Sequence, residues 1–318
     1  MVRILIALDG SEHSEQALLH GTALANAFES ELILVRVLAT EETGVQSAID
    51  PLDWQLHRCQ VQAYLERRTE EITNTGLNAR WILEEGRVAE RLIRCAERVA
   101  AHMIILGAVG RSGIGPFERG GTTQKVISAA RTSVLIAPPA TQTKKITELH
   151  YERILVPVDG SCGSQWALKI AAGIAEVHGS KMLLVQAIEK PELLSPMANT
   201  RRARELQEEI ISTNRLEAER NLSSLKAKLP TNLHVTSLAL VTSNIPDTIN
   251  EIANQRHASL VVLSAHSDTH MSDWHYGSLP EFLLSHARCP VLVFQHSSAE
   301  QANNFHSTYL AETQVNVG

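Results

Sequence analysis

The sequence predicts an α/β protein made of two tandem copies of one domain, each a doubly wound, five-stranded parallel sheet with helices on both faces. Three observations carry this reading: the chain repeats itself, its strand-like segments are continuous apolar runs rather than alternating ones, and those runs alternate with helix-like segments. A sheet buried on both faces needs continuous apolar strands, and strands that alternate with helices close into right-handed crossovers between parallel neighbours. The arrangement is Rossmann-like.

The repeat fixes the domain boundary. Ile4-Leu5-Ile6-Ala7-Leu8-Asp9-Gly10-Ser11 recurs as Ile154-Leu155-Val156-Pro157-Val158-Asp159-Gly160-Ser161, an offset of 150 residues from Asp9 to Asp159. Arg131-Thr132-Ser133-Val134-Leu135-Ile136 recurs as Arg288-Cys289-Pro290-Val291-Leu292-Val293, an offset of 157 from Arg131 to Arg288, so the second copy carries an internal insertion. Pro138-Pro139 and the polar run Thr141-Gln142-Thr143-Lys144-Lys145 read as a linker. The chain then divides into a first domain over 1–140, a linker over 141–151, a second domain over 152–296 and a polar tail over 297–318.

In the first copy, strands are expected at Val2 to Leu8, Leu32 to Leu38, Asn78 to Leu83, Met103 to Gly107 and Ser133 to Ala137. Helices are expected at Ser14 to Phe28, Leu52 to Thr73, Val88 to Ala100 and Thr122 to Ala130. The second copy places strands at Arg153 to Val158, Lys181 to Ile188, Leu233 to Leu240, Leu260 to Ser264 and Val291 to Phe294, and a long charged helix over Arg202 to Lys228.

Composition narrows the function classes. Over 318 residues the net charge is −6, with 20% charged residues and no evident Lys/Arg cluster, which argues against a nucleic-acid binder. No apolar run reaches the roughly 18 to 20 residues that span a bilayer, so no membrane partner is expected. The chain enters directly into Val2-Arg3-Ile4-Leu5-Ile6 without a basic leader, and a cytoplasmic location is the expectation. Cys59, Cys95, Cys162 and Cys289 stand far apart with no CxxC pair, which points to reduced thiols rather than a disulfide framework or a cysteine zinc site.

The chemistry concentrates in the stretch from Gly107 to Val126. An apolar strand runs into a loop containing Gly107, Gly110, Gly113 and Gly115, and Gly120-Gly121-Thr122-Thr123 open a helix. Glycines let backbone N–H groups approach a ligand closely, and the unpaired N–H groups of a helix start carry partial positive charge that suits phosphate. In doubly wound sheets the ligand crevice lies beyond the carboxyl ends of the strands, where strand order reverses. Asp9 ends the first strand and Gly107 the fourth, so both flank one crevice if these strands are neighbours. Asp9 can accept hydrogen bonds from a nucleoside or hold a metal; alternatively it caps the following helix.

The Asp9-Gly10-Ser11 strand end, the spacing Gly107-x2-Gly110-x9-Gly120 and the closing strand Val134-Leu135-Ile136 resemble the universal stress protein family, in its tandem two-domain form. The resemblance covers the chain except the linker and the tail. It implies ATP or a related adenine nucleotide, with Mg as an optional companion, held by Asp9, Val37, Gly107, Gly110, Gly120 and the residues that follow Gly120. Arg111 in the loop is a candidate phosphate contact or a solvated side chain, the more common fate of such a residue, and Thr122 and Thr123 are neighbouring hydroxyl donors. One departure stands out: Gly121 occupies the place where the family carries Ser or Thr. The closing strands Val134 to Ile136 and Val291 to Val293 are expected at sheet edges, where the two copies can pair within the chain as the resemblance to the family's dimers implies, and a homodimer of the whole chain is a further possibility.

In the second copy Asp159, Gly277 and Ser278 persist, but Ser264 and Ser267 replace Gly107 and Gly110, which makes this the weaker site. Its loop also carries His266, His270 and His275, a zinc-compatible set without signature spacing; a solvated loop is the preferred reading. No GxxxxGK[ST] loop is present and no catalytic residue is assigned. The expected function is a nucleotide-binding stress-response sensor or regulatory module; the alternatives are a nucleotide-independent scaffold and a weak ATPase.

Overall fold

The computed structural model describes residues 1–39, 50–108, 121–139, 149–191, 200–265 and 276–295. The chain divides into two compact units, with the break between His150 and Tyr151. The first unit runs β1 (Arg3–Ala7), α1 (Glu12–Phe28), β2 (Glu31–Leu38), α2 (Pro51–Thr73), β3 (Ala79–Glu85), α3 (Val88–Arg98), β4 (Met103–Gly107), α4 (Gly121–Ala129) and β5 (Ser133–Ala137). Its strands pair in parallel in the order β3-β2-β1-β4-β5.

The second unit runs β6 (Arg153–Pro157), α5 (Cys162–His178), β7 (Lys181–Glu189), α6 (Arg201–Ala227), β8 (His234–Thr242), α7 (Ile245–Gln255), β9 (Leu260–Ser264), α8 (Ser278–His286) and β10 (Val291–Phe294). Its parallel order, β8-β7-β6-β9-β10, repeats that of the first unit. Both sheets are the predicted doubly wound α/β kind. The helices α5, α7 and α8 fall where the repeat places the counterparts of α1, α3 and α4.

Ile4, Leu5, Ile6, Leu32, Ile33 and Leu34 have no exposed surface, which is why neighbouring residues on β1 and β2 are both apolar. On one face α1 approaches so closely that a Cβ on Gly21 would lie 2.2 Å from Ile6 Cδ1. The second unit solves the same contact with Val156 and Ala171, one carbon removed from the strand and one added to the helix. Helix starts also repeat: Ser11 caps α1 by accepting from the Ser14 N–H, and Ser161 caps α5 by accepting from the Ser164 N–H. The helix ends differ chemically, since the left-handed residue after α1 is Glu29 (φ 47°) and that after α5 is Gly179 (φ 63°).

The insertion in the second copy precedes or lengthens α6, which has 27 residues against 23 in α2. Both helices bury a short stripe against the sheet, Val61 and Leu65 in α2 and Ala218 and Leu222 in α6. The predicted charged face of α6 is exposed and carries Arg201–Glu205 and Arg215–Glu219 ion pairs.

Candidate functional site

Strand order reverses between β1 and β4 in the first unit, because the chain steps from β1 outward to β2 and β3 and then returns to β1's other side. The register Ile4↔Met103, Leu5↔Ile104, Ile6↔Ile105 continues to bring Leu8 abreast of Gly107. The register Arg3↔Glu31 to Ala7↔Val35 continues to bring Asp9 abreast of Val37. Asp9, Val37 and Gly107 therefore stand at the carboxyl end of three adjacent strands, around the switch point where doubly wound sheets hold ligands.

The Asp9 carboxylate shapes the turn between strand and helix. Its Oδ1 accepts from the Ser11 N–H (2.9 Å) and from the Ser11 hydroxyl (2.5 Å), while Gly10 adopts φ +77°. The capping side chain of α1 is Ser11 rather than Asp9, so the aspartate organises the turn one step before the helix.

On the other side of the crevice, Gly121 and Thr122 lie at the start of α4. A Cβ on Gly121 would meet nothing within 4 Å, so crowding does not require glycine there. Thr123 is buried, and its hydroxyl donates to the Gly107 carbonyl (3.1 Å), tying the helix start to the strand end. The hydroxyl on offer to a ligand is then that of half-buried Thr122. Gly110, Arg111 and Gly120 lie outside the described residues.

A contact that sequence reasoning missed lies behind the turn. A Cβ on Gly10 would be 2.7 Å from Arg36 Nη1, and the same guanidinium sits 5.5 Å from the centroid of the Tyr64 ring. Tyr64 donates its hydroxyl to Glu15, which also pairs with Arg68 (3.1 Å). Burial, reinforced by the Glu15 carboxylate, pushes the Tyr64 phenol far above its ordinary range. In the second unit Gln186 and Asn221 occupy this place, joined by a 2.8 Å hydrogen bond, and Asn221 Nδ2 lies 3.7 Å from a Cβ on Gly160. A positive charge backs the first turn; neutral amides back the second. Arg36, a charge within the apolar run from Leu32 to Leu38, was the available signal, but its meeting with Gly10 and Tyr64 depends on the fold.

In the second unit Asp159, Ser264, Gly277 and Ser278 line one cavity of about 170 Å³ at the switch point between β6 and β9. Asp159 Oδ1 accepts from the Ser161 N–H (2.9 Å), as Asp9 does from Ser11. Apolar walls come from Val158, Val185, Ile249 and Leu263. Ser267, His266, His270 and His275 lie outside the described residues, and among the described residues no group of three His, Cys, Asp or Glu side chains is placed to hold a metal ion. Among the same residues no helix is long and apolar enough to cross a membrane.

These features define a tandem α/β protein whose two units carry the same Asp-Gly-Ser turn at the switch point of a doubly wound parallel sheet. The chain belongs to the universal stress protein family, whose model matches residues 1–138 and 150–295. It is 26% identical over 150 residues to a universal stress protein of Methanocaldococcus jannaschii, covering 47% of this chain and 85% of that one. It is 29% identical over 136 residues to a universal stress protein of Thermus aquaticus encoded in the QAH/OAS sulfhydrylase 3′ region, covering 42% of this chain and 96% of the relative. A crystal structure of a universal stress protein from Archaeoglobus fulgidus has the same fold over 92% of this chain and 98% of its own, with TM-score 0.59 and 16% identity.

Proposed function

We propose that the first domain, residues 1–140, binds ATP or a related adenine nucleotide in the crevice between Asp9 and the start of α4, and that the chain acts as a stress-response sensor or regulatory module. The observation that carries this reading is the asymmetry at the switch point. The helix start of α4 offers backbone N–H groups and the Thr122 hydroxyl, and the Arg36 guanidinium backs the Asp9-Gly10-Ser11 turn. Both features favour an anionic ligand. Asp9 and Val37, abreast at the strand ends, are positioned for the nucleoside, and the phosphates extend toward Gly121 and Thr122. Mg, where present, accompanies the phosphates.

Binding rather than turnover is the activity proposed, because the sequence assigns no catalytic residue and carries no GxxxxGK[ST] loop. Isothermal titration of the full chain with ATP–Mg tests this directly. Saturable binding that Asp9→Ala weakens by tenfold or more is expected, since a hydrogen bond to a charged group contributes about 1.5–3 kcal/mol. Absence of binding in nucleotide-free protein leaves the scaffold reading in its place.

A further inference from the structure

The N-terminal half of α2 carries an apolar stripe on its outward side. Val61, Leu65 and Ile72 bury the inner face of the helix. With 3.6 residues per turn, Leu52, Leu56, Cys59 and Ala63 fall on the opposite side, within about 60° of one another. All four are exposed, Leu52 by 74% and Leu56 by 58%. The outward side of a helix packed on a sheet is ordinarily polar.

The duplicate shows that the fold does not ask for apolar residues there. In α6, Ala218 and Leu222 bury in the places of Val61 and Leu65. At the same offset of 157, the four stripe positions become Glu209, Thr213, Leu216 and Arg220. The second unit thus puts a charge at each end of the surface that the first unit keeps apolar throughout.

The stripe also has the pattern of a helix seam that fits its own copy. Its steps are four, three and four residues, the a/d spacing of a coiled coil, and it stops where Glu66 and Glu70 take the next two positions. Laid antiparallel against a second copy, Leu52 faces Ala63 and Leu56 faces Cys59, so each of the four layers sets a large side chain against a small one. Facing positions that alternate large and small interdigitate, and a surface that matches itself about a two-fold axis makes a closed dimer. Parallel pairing would instead stack leucine on leucine and alanine on alanine. Asp53, Gln55, Gln60 and Gln62 flank the layers, so a second copy meets mostly neutral amides rather than a row of like charges.

We propose that α2 is a self-association surface, through which two copies of the chain pair antiparallel along Leu52, Leu56, Cys59 and Ala63. A four-layer seam buries well under the roughly 800 Å² per partner of a standard interface, so the dimer is reversible, forming at high concentration and dissociating on dilution. The inference rests on α2 alone and stands whatever the crevices bind.

Sedimentation velocity of the full chain from about 1 to about 500 µM tests it, with a sedimentation coefficient expected to rise along the series. Leu52→Glu with Leu56→Thr, the residues α6 carries at 209 and 213, is expected to weaken dimerisation at least tenfold. Both side chains are exposed, so this variant should keep the parent's melting temperature at low concentration. Chemical cross-linking reads the geometry. In the antiparallel seam the two Cys59 thiols lie one layer apart, three residues or about 4.5 Å along the helix axis, within reach of a short bismaleimide. The cross-linked dimer is expected to vanish in Cys59→Ser and to persist in Cys162→Ser, which removes the other exposed thiol. A dimer that the double variant leaves unchanged, a dimer that the reagent does not join, or a cross-link that survives Cys59→Ser would each overturn the proposal. A monomer throughout the series would overturn it too and assign the stripe to a different protein.

Discussion

Replacing Gly121 by Ser probes the phosphate end of the first crevice with little risk to the fold. The position is exposed, its Cβ would meet nothing within 4 Å, and it is the first residue of α4. Removing a glycine from a helix recovers up to about 0.5 kcal/mol, so the variant should be as stable as the parent or slightly more. The added hydroxyl stands at the helix start, where it can donate to an oxygen of a bound phosphate. Hydrogen bonds to charged groups contribute about 1.5–3 kcal/mol, and ordering one serine side chain takes back part of that. A net gain of about 1–2 kcal/mol corresponds to roughly 5- to 30-fold tighter ATP binding. Isothermal titration with ATP and with adenosine separates this from a general effect, because only the phosphate-bearing ligand should gain. If Gly121→Ser folds normally and ATP affinity is unchanged or weaker, the phosphates do not lie at the start of α4.

Three further outcomes follow from differences between the copies. Gly21→Ala forces a Cβ to within 2.2 Å of Ile6 Cδ1, and overpacking of about 1–3 kcal/mol outweighs the helix gain of about 0.5–1; adding Ile6→Val, the pair found as Ala171 and Val156, should restore most of the loss in a denaturant-unfolding cycle, and additive effects would refute the packing account. Glu29→Gly, which places glycine at a φ of 47° as Gly179 does in the second unit, should raise stability by about 1 kcal/mol, and a lower melting temperature would contradict it.

The third concerns pH. Burial, with smaller contributions from Arg3 and the N-terminal amine, holds the His102 imidazole below its ordinary pKa, and its Nδ1 accepts from the Arg3 N–H at 3.2 Å. The folded state favours the neutral ring, so its contribution to stability is present above about pH 6.5 and is lost as pH falls through the lowered folded pKa. Ser259 accepts the corresponding N–H of Arg153 at 2.9 Å, so His102→Ser should keep the hydrogen bond and flatten the stability profile between pH 7 and 5. A profile as steep as the parent's would show that another group carries it.

Much of this fold is legible in the sequence because duplication states it twice. The Asp-Gly-Ser turn appears at 9–11 and again at 159–161, and the continuous apolar runs of β1, β4 and β5 predict strands buried on both faces. Element ends are less legible. Polar residues such as Glu84, Glu85 and Thr242 extend β3 and β8 because backbone pairing continues past the apolar run. The site is only partly legible. Asp9, Val37 and Gly107 could be placed at one crevice once strand order was assumed, since each ends a strand. The commitment of the Thr123 hydroxyl to Gly107 and the seating of Arg36 against Gly10 depend on contacts between segments distant in the chain.

The central claim is a division of labour between two crevices of one ancestry, with adenine nucleotide in the first alone. Stoichiometry measured by isothermal titration of the full chain with ATP–Mg tests it most directly. One ATP per chain is predicted, lost when Val37→Phe fills the first crevice, retained when Ala187→Phe fills the cavity of the second unit, and accompanied by about 2.7 kcal/mol of added stability when free ATP is 100 times its dissociation constant. Two ATP per chain, or one that survives Val37→Phe and disappears in Ala187→Phe, would contradict it.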